Sequence, residues 1–430
     1  MYKRVGMQMH VSLLLSRILH EMASFTSVGK DALDAFIKSV TDEKKIPGIV
    51  LGVANVEREI YFQGGGYHRF NDSSSGEISP NSVFWICSQT KMIAALAALK
   101  LVDQGKLTFD TPVGNYLPEF RNPIIVDKIS TQKTTFRPAN TVVTLKHLLN
   151  FSSGLFYPVV RENLFGLGQG YTSKEMHNTA DPAASFFKIV IGELPSLPLK
   201  FEPGTDFVYG WSSDALGFLV EKVSGQTLDN FCKQHFFEPL GMETSFYLTP
   251  ELKKRMVDLT FRGGDGQYHQ WANQVPIIEQ DPHKVKVLLG GVGMYSSMRD
   301  YLKILQHLLR IKVGRRVDNP LLKKETVDQI FEPALTEKGS KSLSEFSMAP
   351  GIQWGTALAI CTQDWPGRRR KGSAFWGGWA GTHGFIDPTT GIAVVFGIQM
   401  TPSRDVDLVK NWTRLEELVY SAVNPGAGKL

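Results

Sequence analysis

The sequence predicts a mixed α/β (α+β) fold: one antiparallel sheet built from both ends of the chain, helices on its faces, and a mainly helical region inserted between. Three observations lead there. Apolar, β-branched runs lie near the start (residues 49–54 and 60–63) and again near the end (384–386 and 392–398). The middle carries helical periods with glycine stops. Polar turns, Glu57-Arg58-Glu59 and Asp387-Pro388-Thr389-Thr390-Gly391, fold neighbouring runs back on each other. The implied division is residues 25–90 with 290–430 as the sheet domain, 91–289 as a helical domain carrying pocket loops, and 1–24 as a leader or N-terminal helix.

In chain order, residues 31–40 have an amphipathic helical period, and the strand over 60–63 ends at Gly64-Gly65-Gly66. Residues 71–76 read as a loop. A short strand over 82–86 runs into an Ala/Leu-rich helix that stops at Gly105. A helix begins at 144–149 and stops at Ser152-Ser153-Gly154; its His147 reads as a core or capping residue. Residues 154–199 are aromatic-rich, and Phe156, Tyr157 and residues 165–168 either line an apolar pocket or pack as loops. Residues 214–223 form a helix ended by Gly225. The glycine-rich stretch 288–296 lacks the lysine and spacing of a phosphate loop, so its glycines point to a close backbone approach. A helix follows over 298–309, a strand over 354–360 and a final helix over 406–423.

Bulk composition narrows the class. The 430 residues are 42% hydrophobic and 21% charged, an ordinary globular balance, with a net charge of +5. No basic stripe with interleaved aromatics is present, so nucleic acid is not indicated. Arg368-Arg369-Arg370-Lys371 reads as a solvated loop. Three scattered cysteines argue against a disulfide framework or a zinc site and favour a reducing, cytoplasmic setting. The apolar patch at 11–15, broken by Arg17 and His20, is too short to span a membrane. The histidines show no ligand spacing, so no metal is expected, and no cofactor is implied. His383 reads as a strand residue facing outward.

The chemistry centres on Ser88-Gln89-Thr90-Lys91. In a helix, residues three apart share a face, so Ser88 and Lys91 can meet. A serine hydroxyl is a weak nucleophile until a neighbouring base takes its proton, and burial can lower a lysine's pKa enough for that task. The spacing recurs at Ser27/Lys30, Ser130/Lys133 and Ser185/Lys188. Only Ser88 lies between a strand and a long apolar helix. The neighbouring Cys87 reads as a small buried residue packed behind the site.

Three further stretches follow in order: Leu145-Lys146-His147-Leu148-Leu149 through Ser153-Gly154-Leu155; Pro203-Gly204-Thr205-Asp206-Phe207-Val208-Tyr209; and Trp376-Gly377-Gly378-Trp379-Ala380-Gly381-Thr382 leading to Ile386-Asp387-Pro388. With the Ser88 motif, this order resembles the serine β-lactamase and penicillin-binding-protein superfamily in its class C-like branch, over about residues 31–423. Within it the chain looks most like the esterase and transesterase members, including fungal enzymes that move acyl groups onto or off statin-type polyketides. The resemblance implies Ser88 as nucleophile, Lys91 as its partner and Tyr209 as the proton relay. It also implies the backbone N–H groups of Ser88 and Trp379 as an oxyanion hole. Two departures stand out. Trp211 occupies the place of a lactamase asparagine, and Trp376-Gly377-Gly378 that of Lys-Thr-Gly. Trp211 and Trp376 are then either pocket walls or packing.

The expected function is a serine hydrolase or acyltransferase forming a Ser88 acyl-enzyme from a bulky, secondary-metabolite-type ester. Lys91, buried and largely neutral, and Tyr209 would share the serine proton. Water or an alcohol would take the acyl group. A carrier protein is a candidate acyl donor, and the protein is expected as a monomer or homodimer with no membrane or nucleic-acid partner. The alternatives are a β-lactamase or D-amino-acid peptidase-like amidase, and a binding protein that keeps the fold without turnover.

Overall fold

A computed structural model describes residues 23–128, 135–157, 174–271 and 278–424. Helix α1 (Ser27–Asp42) starts where the Thr26 hydroxyl accepts the Gly29 N–H at 3.0 Å, and it buries Leu33, Ile37 and Val40. Strands β1 (Gly48–Asn55) and β2 (Glu59–Arg69) form the first hairpin. β2 continues through Gly64-Gly65-Gly66, where the sequence predicts a stop. The glycines serve packing: a Cβ on Gly64 would lie 2.5 Å from the Ile78 carbonyl oxygen. Residues 72–77, read as loop, are instead an edge strand, β3 (Asp72–Glu77), none of whose residues is buried. Its polar composition suits an edge and hides the strand from a hydrophobic pattern.

Strand β4 (Val83–Trp85) leads into helix α2 (Thr90–Asp103). The helical region includes α3 (Leu145–Leu149) and α4 (Ser212–Ser224), the latter closed by Gly225 in a left-handed conformation. At the start of α3 the Thr144 N–H donates to His147 Nδ1 at 3.2 Å, the capping role expected of that histidine. The chain returns through β5 (Tyr295–Ser297), paired antiparallel with β4, and α5 (Met298–Lys312). Then come α6 (Glu337–Ser347), β6 (Ile352–Trp354), β7 (Ala359–Cys361), β8 (Ala374–Gly377), β9 (His383–Asp387), β10 (Ile392–Gly397) and α7 (Val406–Ala422). Residues 354–360, predicted as one strand, belong to two, because the Gly355 N–H closes a tight turn on the Leu358 carbonyl at 2.9 Å.

The main sheet runs β6-β7-β8-β9-β10-β1-β2-β3, antiparallel throughout. Its seam joins the two ends of the chain, with Val394 opposite Val53. One face (Leu51, Val53, Val394, Phe396) packs on α1 and α7; the other (Val50, Val395) packs on Met298, Leu302 and Leu305 of α5. Burial on both faces explains the unbroken apolar runs of β1 and β10.

Arg369 corrects the expectation of a solvated basic loop. It is 4% exposed, and its Nε and Nη2 each donate to the Glu416 carboxylate at 2.8 Å. The guanidinium lies 4.6 Å from the ring centres of both Phe375 and Phe385. Glu416 is buried in α7, so this pair fastens α7 to the sheet. Burial works to raise the Glu416 carboxyl, but the Arg369 charge and hydrogen bonds prevail and hold it at about 2. A carboxyl depressed in the folded state stabilises above its unfolded value of about 4.3 and loses that contribution as pH falls through its folded value. Urea unfolding across pH should therefore show stability declining from roughly pH 4.3 toward 2. Glu416→Gln should flatten that decline and, by stranding Arg369, cost roughly 3–5 kcal/mol at neutral pH.

Candidate active site

β4 delivers the chain to Cys87, which takes a left-handed backbone with φ 47°. A non-glycine residue there is strained. The turn it makes swings the chain into a short 3-10 turn (Cys87–Gln89) and then α2, placing Ser88 just before the helix N-terminus, 8% exposed. The positive end of the helix dipole favours negative charge at this position.

Lys91 is 2% exposed, and its Nζ donates to Ser88 Oγ at 3.1 Å and to the Gly291 carbonyl at 2.8 Å. Gly291 is itself fixed, since its N–H donates to Asp214 Oδ1 at 2.8 Å. Gly290 permits this closure on α4: a Cβ there would lie 2.2 Å from the Ser213 carbonyl oxygen. The close approach read from the glycines is present, and its purpose is to hold Lys91. Asp214 and Gly291 escaped the sequence reading. The local signal was weak: an ordinary first-turn acid, Asp214, just ahead of the apolar run of α4.

Burial alone works to strip the proton from Lys91. Tyr157, Tyr209, the Asp214 carboxylate and the Cys87 thiol act the other way, and the net direction is upward. The direction is thus opposite to the one that burial alone predicts. A phenol exerts this pull only as a phenolate, so proton placement belongs to the cluster and not to Lys91 alone.

Tyr209 sits in an aromatic cage. Its ring centre lies 4.7 Å from Lys91 Nζ, 5.3 Å from Phe151, 4.9 Å from Phe346 and 5.7 Å from Tyr157. Trp376 Nε1–H donates to Tyr209 Oη at 3.0 Å. An indole N–H only donates, so the Tyr209 oxygen is the acceptor. Trp376 is half-buried against Trp354 and reaches the site from β8.

The other predicted pocket residues divide. Tyr157 stands edge-on to both Tyr209 and Trp211. Trp211, 1% exposed, packs between Tyr157 and Phe186, and so backs the pocket from behind. The Phe156 backbone presses on Gly210, where a Cβ would fall 2.5 Å from Phe156 Cα. Gly377 faces His383, which a Cβ would meet at 2.4 Å. Gly378 meets the Ile86 carbonyl, which the Thr382 hydroxyl also contacts at 3.2 Å. Gly378 thus lets the turn after β8 press against the segment before Ser88, while Gly377 makes room for His383 on β9. Burial pushes the Cys87 thiol up, opposed by the Lys91 charge, the Trp379 N–H and Ser88, so that N–H reaches the Cys87–Ser88 corner. Residues 165–168 lie outside the described residues.

His383 is not outward-facing. It stacks on Trp412 of α7 with ring centres 5.2 Å apart, and burial lowers its pKa to about 4. Its neighbour Gly384 faces Gln89, so His383 points to the sheet face away from Ser88. Of the competing serine–lysine pairs, Ser27 and Lys30 are exposed on α1, while Ser185 Oγ donates to the Met176 carbonyl and Lys188 is exposed. Ser130 and Lys133 lie outside the described residues.

The beta-lactamase family model matches residues 33–418, and the chain belongs to that family. It is 27% identical to the ML-236A carboxylate methylbutanoyltransferase of Penicillium citrinum, over 91% of this chain and 94% of that one. It is 27% identical to esterase EstB of Burkholderia gladioli, over 84% and 88%. Unliganded simvastatin synthase of Aspergillus terreus shares the fold with a TM-score of 0.75, at 23% identity, covering 91% of this chain and 98% of that one. Among the described residues no helix is long and apolar enough to cross a membrane.

The Trp376 contact makes a specific prediction. Trp376→Phe keeps the ring and removes the hydrogen bond to the Tyr209 oxygen. A hydrogen bond of about 0.5–1.5 kcal/mol corresponds to a loss of about 2- to 13-fold in kcat/KM. Steady-state kinetics should show that loss with Tm nearly unchanged. An unchanged kcat/KM would show that the contact is packing alone.

Proposed function

We propose that the chain is a serine esterase or acyltransferase that forms an acyl-enzyme on Ser88 from a bulky, mostly apolar ester. The observation that carries this is the Lys91 side chain, buried between Ser88 Oγ and the Gly291 carbonyl beside the caged Tyr209. The Lys91–Tyr209 pair takes a proton only when one of its two groups starts deprotonated: as Ser88 Oγ attacks the ester carbonyl, its proton passes to that group, leaving an ammonium beside a phenol. The Ser88 and Trp379 N–H groups meet the oxyanion, a contribution of roughly 3–4 kcal/mol per donor in comparable sites. The leaving alkoxide takes the proton back as alcohol, and water or a second alcohol repeats the sequence in reverse.

Trp376 favours an ester over a β-lactam, because it supplies a neutral N–H where a lactamase carries a cation. The relatives' names, methylbutanoyltransferase and esterase, support the same class. A branched short acyl group on a bulky alcohol, delivered as a small-molecule ester or from a carrier protein, belongs to this reading. So does a cytoplasmic setting, which three buried cysteines without disulfides support.

A chromogenic butyrate ester set beside a chromogenic cephalosporin tests the class. The ester should turn over and the cephalosporin should not. Ser88→Ala should cut ester turnover by about 10³-fold or more, and an active-site phosphonate should add its mass to Ser88 alone. Faster cephalosporin turnover would move the protein to the amidase reading. Undiminished activity in Ser88→Ala would remove Ser88 from the mechanism.

A further inference from the structure

The rim beside Tyr209 carries a cation that no carboxylate among the described residues neutralises. Arg404 lies on the exposed segment between β10 and α7. Its Nη2 donates to the Phe346 carbonyl at 2.6 Å, and its guanidinium lies 6.0 Å from the Phe346 ring centre. The acids that follow it in sequence are already engaged. Asp405 pairs with Arg262 at 2.7 Å, and Asp407 pairs with the same arginine at 2.9 Å. The other arginines near the C-terminal strands, Arg368, Arg369 and Arg370, all have carboxylate partners.

What Arg404 touches connects it to the site. Phe346 is the next-to-last residue of α6, 40% exposed, and its ring stacks on Tyr209 at 4.9 Å. Met348 follows in a left-handed conformation with φ 54° and is 67% exposed. The position of α6 is set firmly. Asp206, three residues before Tyr209, accepts from Ser342 Oγ at 2.7 Å and pairs with Lys338 at 3.0 Å. The first half of α6 is thereby tied to the loop that carries Tyr209. The rim thus offers an apolar surface, Phe346 with Met348, one ring away from Tyr209, and an unneutralised guanidinium just beyond it.

We propose that Arg404 is a specificity-determining residue that recognises an anionic group, a carboxylate or a phosphate, on the part of the substrate remote from the reacting carbonyl. Phe346 and Met348 would cover the intervening apolar stretch. A guanidinium suits this task because its fork binds oxyanions with two parallel hydrogen bonds. The proposal rests on the reading of Ser88 and Tyr209 as the reacting centre.

The test compares kcat and KM for a neutral ester, 4-nitrophenyl butyrate, with two anionic substrates. One is 4-nitrophenyl hydrogen glutarate, with a carboxylate at the far end of the acyl group. The other is butyryl-phosphopantetheine, set against unphosphorylated butyryl-pantetheine. Arg404→Ala should raise KM about 10-fold or more for one of the anionic substrates, leave its kcat nearly unchanged, and leave both neutral substrates unaffected. Arg404→Lys should restore part of the loss, and added salt should raise the wild-type KM for the anionic substrate only. The arm that responds identifies the source of the anion. Equal effects on neutral and anionic substrates, or no effect on either anion, would overturn the proposal. If butyrate hydrolysis remains dependent on Ser88 in that case, the esterase reading stands and only the anion site falls. If Ser88→Ala keeps full activity, it is the reacting centre that was misplaced.

Discussion

A lysine held inside the protein is the constraint on which the rest of the site depends. Removing an ammonium charge from water costs several kcal/mol even after relaxation, unless hydrogen bonds and opposite charge offset it. Lys91 rises from a helix buried on every side over its first ten residues, so water cannot do this. The structure answers with the Gly291 carbonyl, the Ser88 hydroxyl and, one step further, the Asp214 carboxylate that fixes Gly291. Each contact needs the backbone to come close, and glycine at 290 is what lets the loop reach α4. The local geometry of residues 290–291 is therefore dictated by Lys91 as much as by packing. The same charge draws Tyr157 and Tyr209 into one electrostatic unit with it.

How much of this was legible in the sequence depended on how local each signal is. Ser88 and Lys91 are three residues apart on one helical turn, and Tyr209 and Trp376 lie in short recognisable stretches, so they could be named. The Lys91–Gly291 contact spans 200 residues and leaves no local pattern. Asp214 looks like any helix-start acid until its carboxylate is found facing inward. The sheet's central strands were visible because burial on both faces makes them continuously apolar. β3 was not, because an edge strand with every residue at least partly exposed obeys no hydrophobic period. Arg369 was misread for the converse reason. A basic run predicts solvent, and only the buried Glu416, 47 residues away, cancels its charge. For Lys91, burial was weighed in the sequence without the phenols and the carboxylate that surround it, which act in the opposite direction.

Trp376 shows how one substitution redirects a shared scaffold. Its indole N–H keeps a donor at the Tyr209 oxygen, 3.0 Å away, yet adds no positive charge. Tyr209 is otherwise enclosed by the rings of Phe151, Phe346 and Tyr157. The Tyr209 oxygen thus has one lone pair committed to Trp376. An arrangement of this kind handles proton transfer without holding a carboxylate on the floor of the pocket.

A cation on the floor and a cation on the rim select different substrates. Where a lysine occupies the Trp376 position, it meets an anion next to the reacting carbonyl, as the compact, acidic lactams require. Here the charge nearest that carbonyl is Lys91, already satisfied from within. The unneutralised guanidinium sits outside the aromatic cage, beyond Phe346. The distance between chemistry and anion is then filled by apolar surface, which suits an ester that is long, mostly apolar and charged only at its end. Such a substrate also covers the mouth of the pocket once bound. Covering the mouth decides the fate of the acyl-enzyme, since the same residues serve water and alcohol equally. A second bulky alcohol that seats on Phe346 and Met348 gains binding from the rim, whereas water does not. On the proposed reading, the balance between hydrolysis and transfer is set at the rim, by residues that take no part in moving the proton.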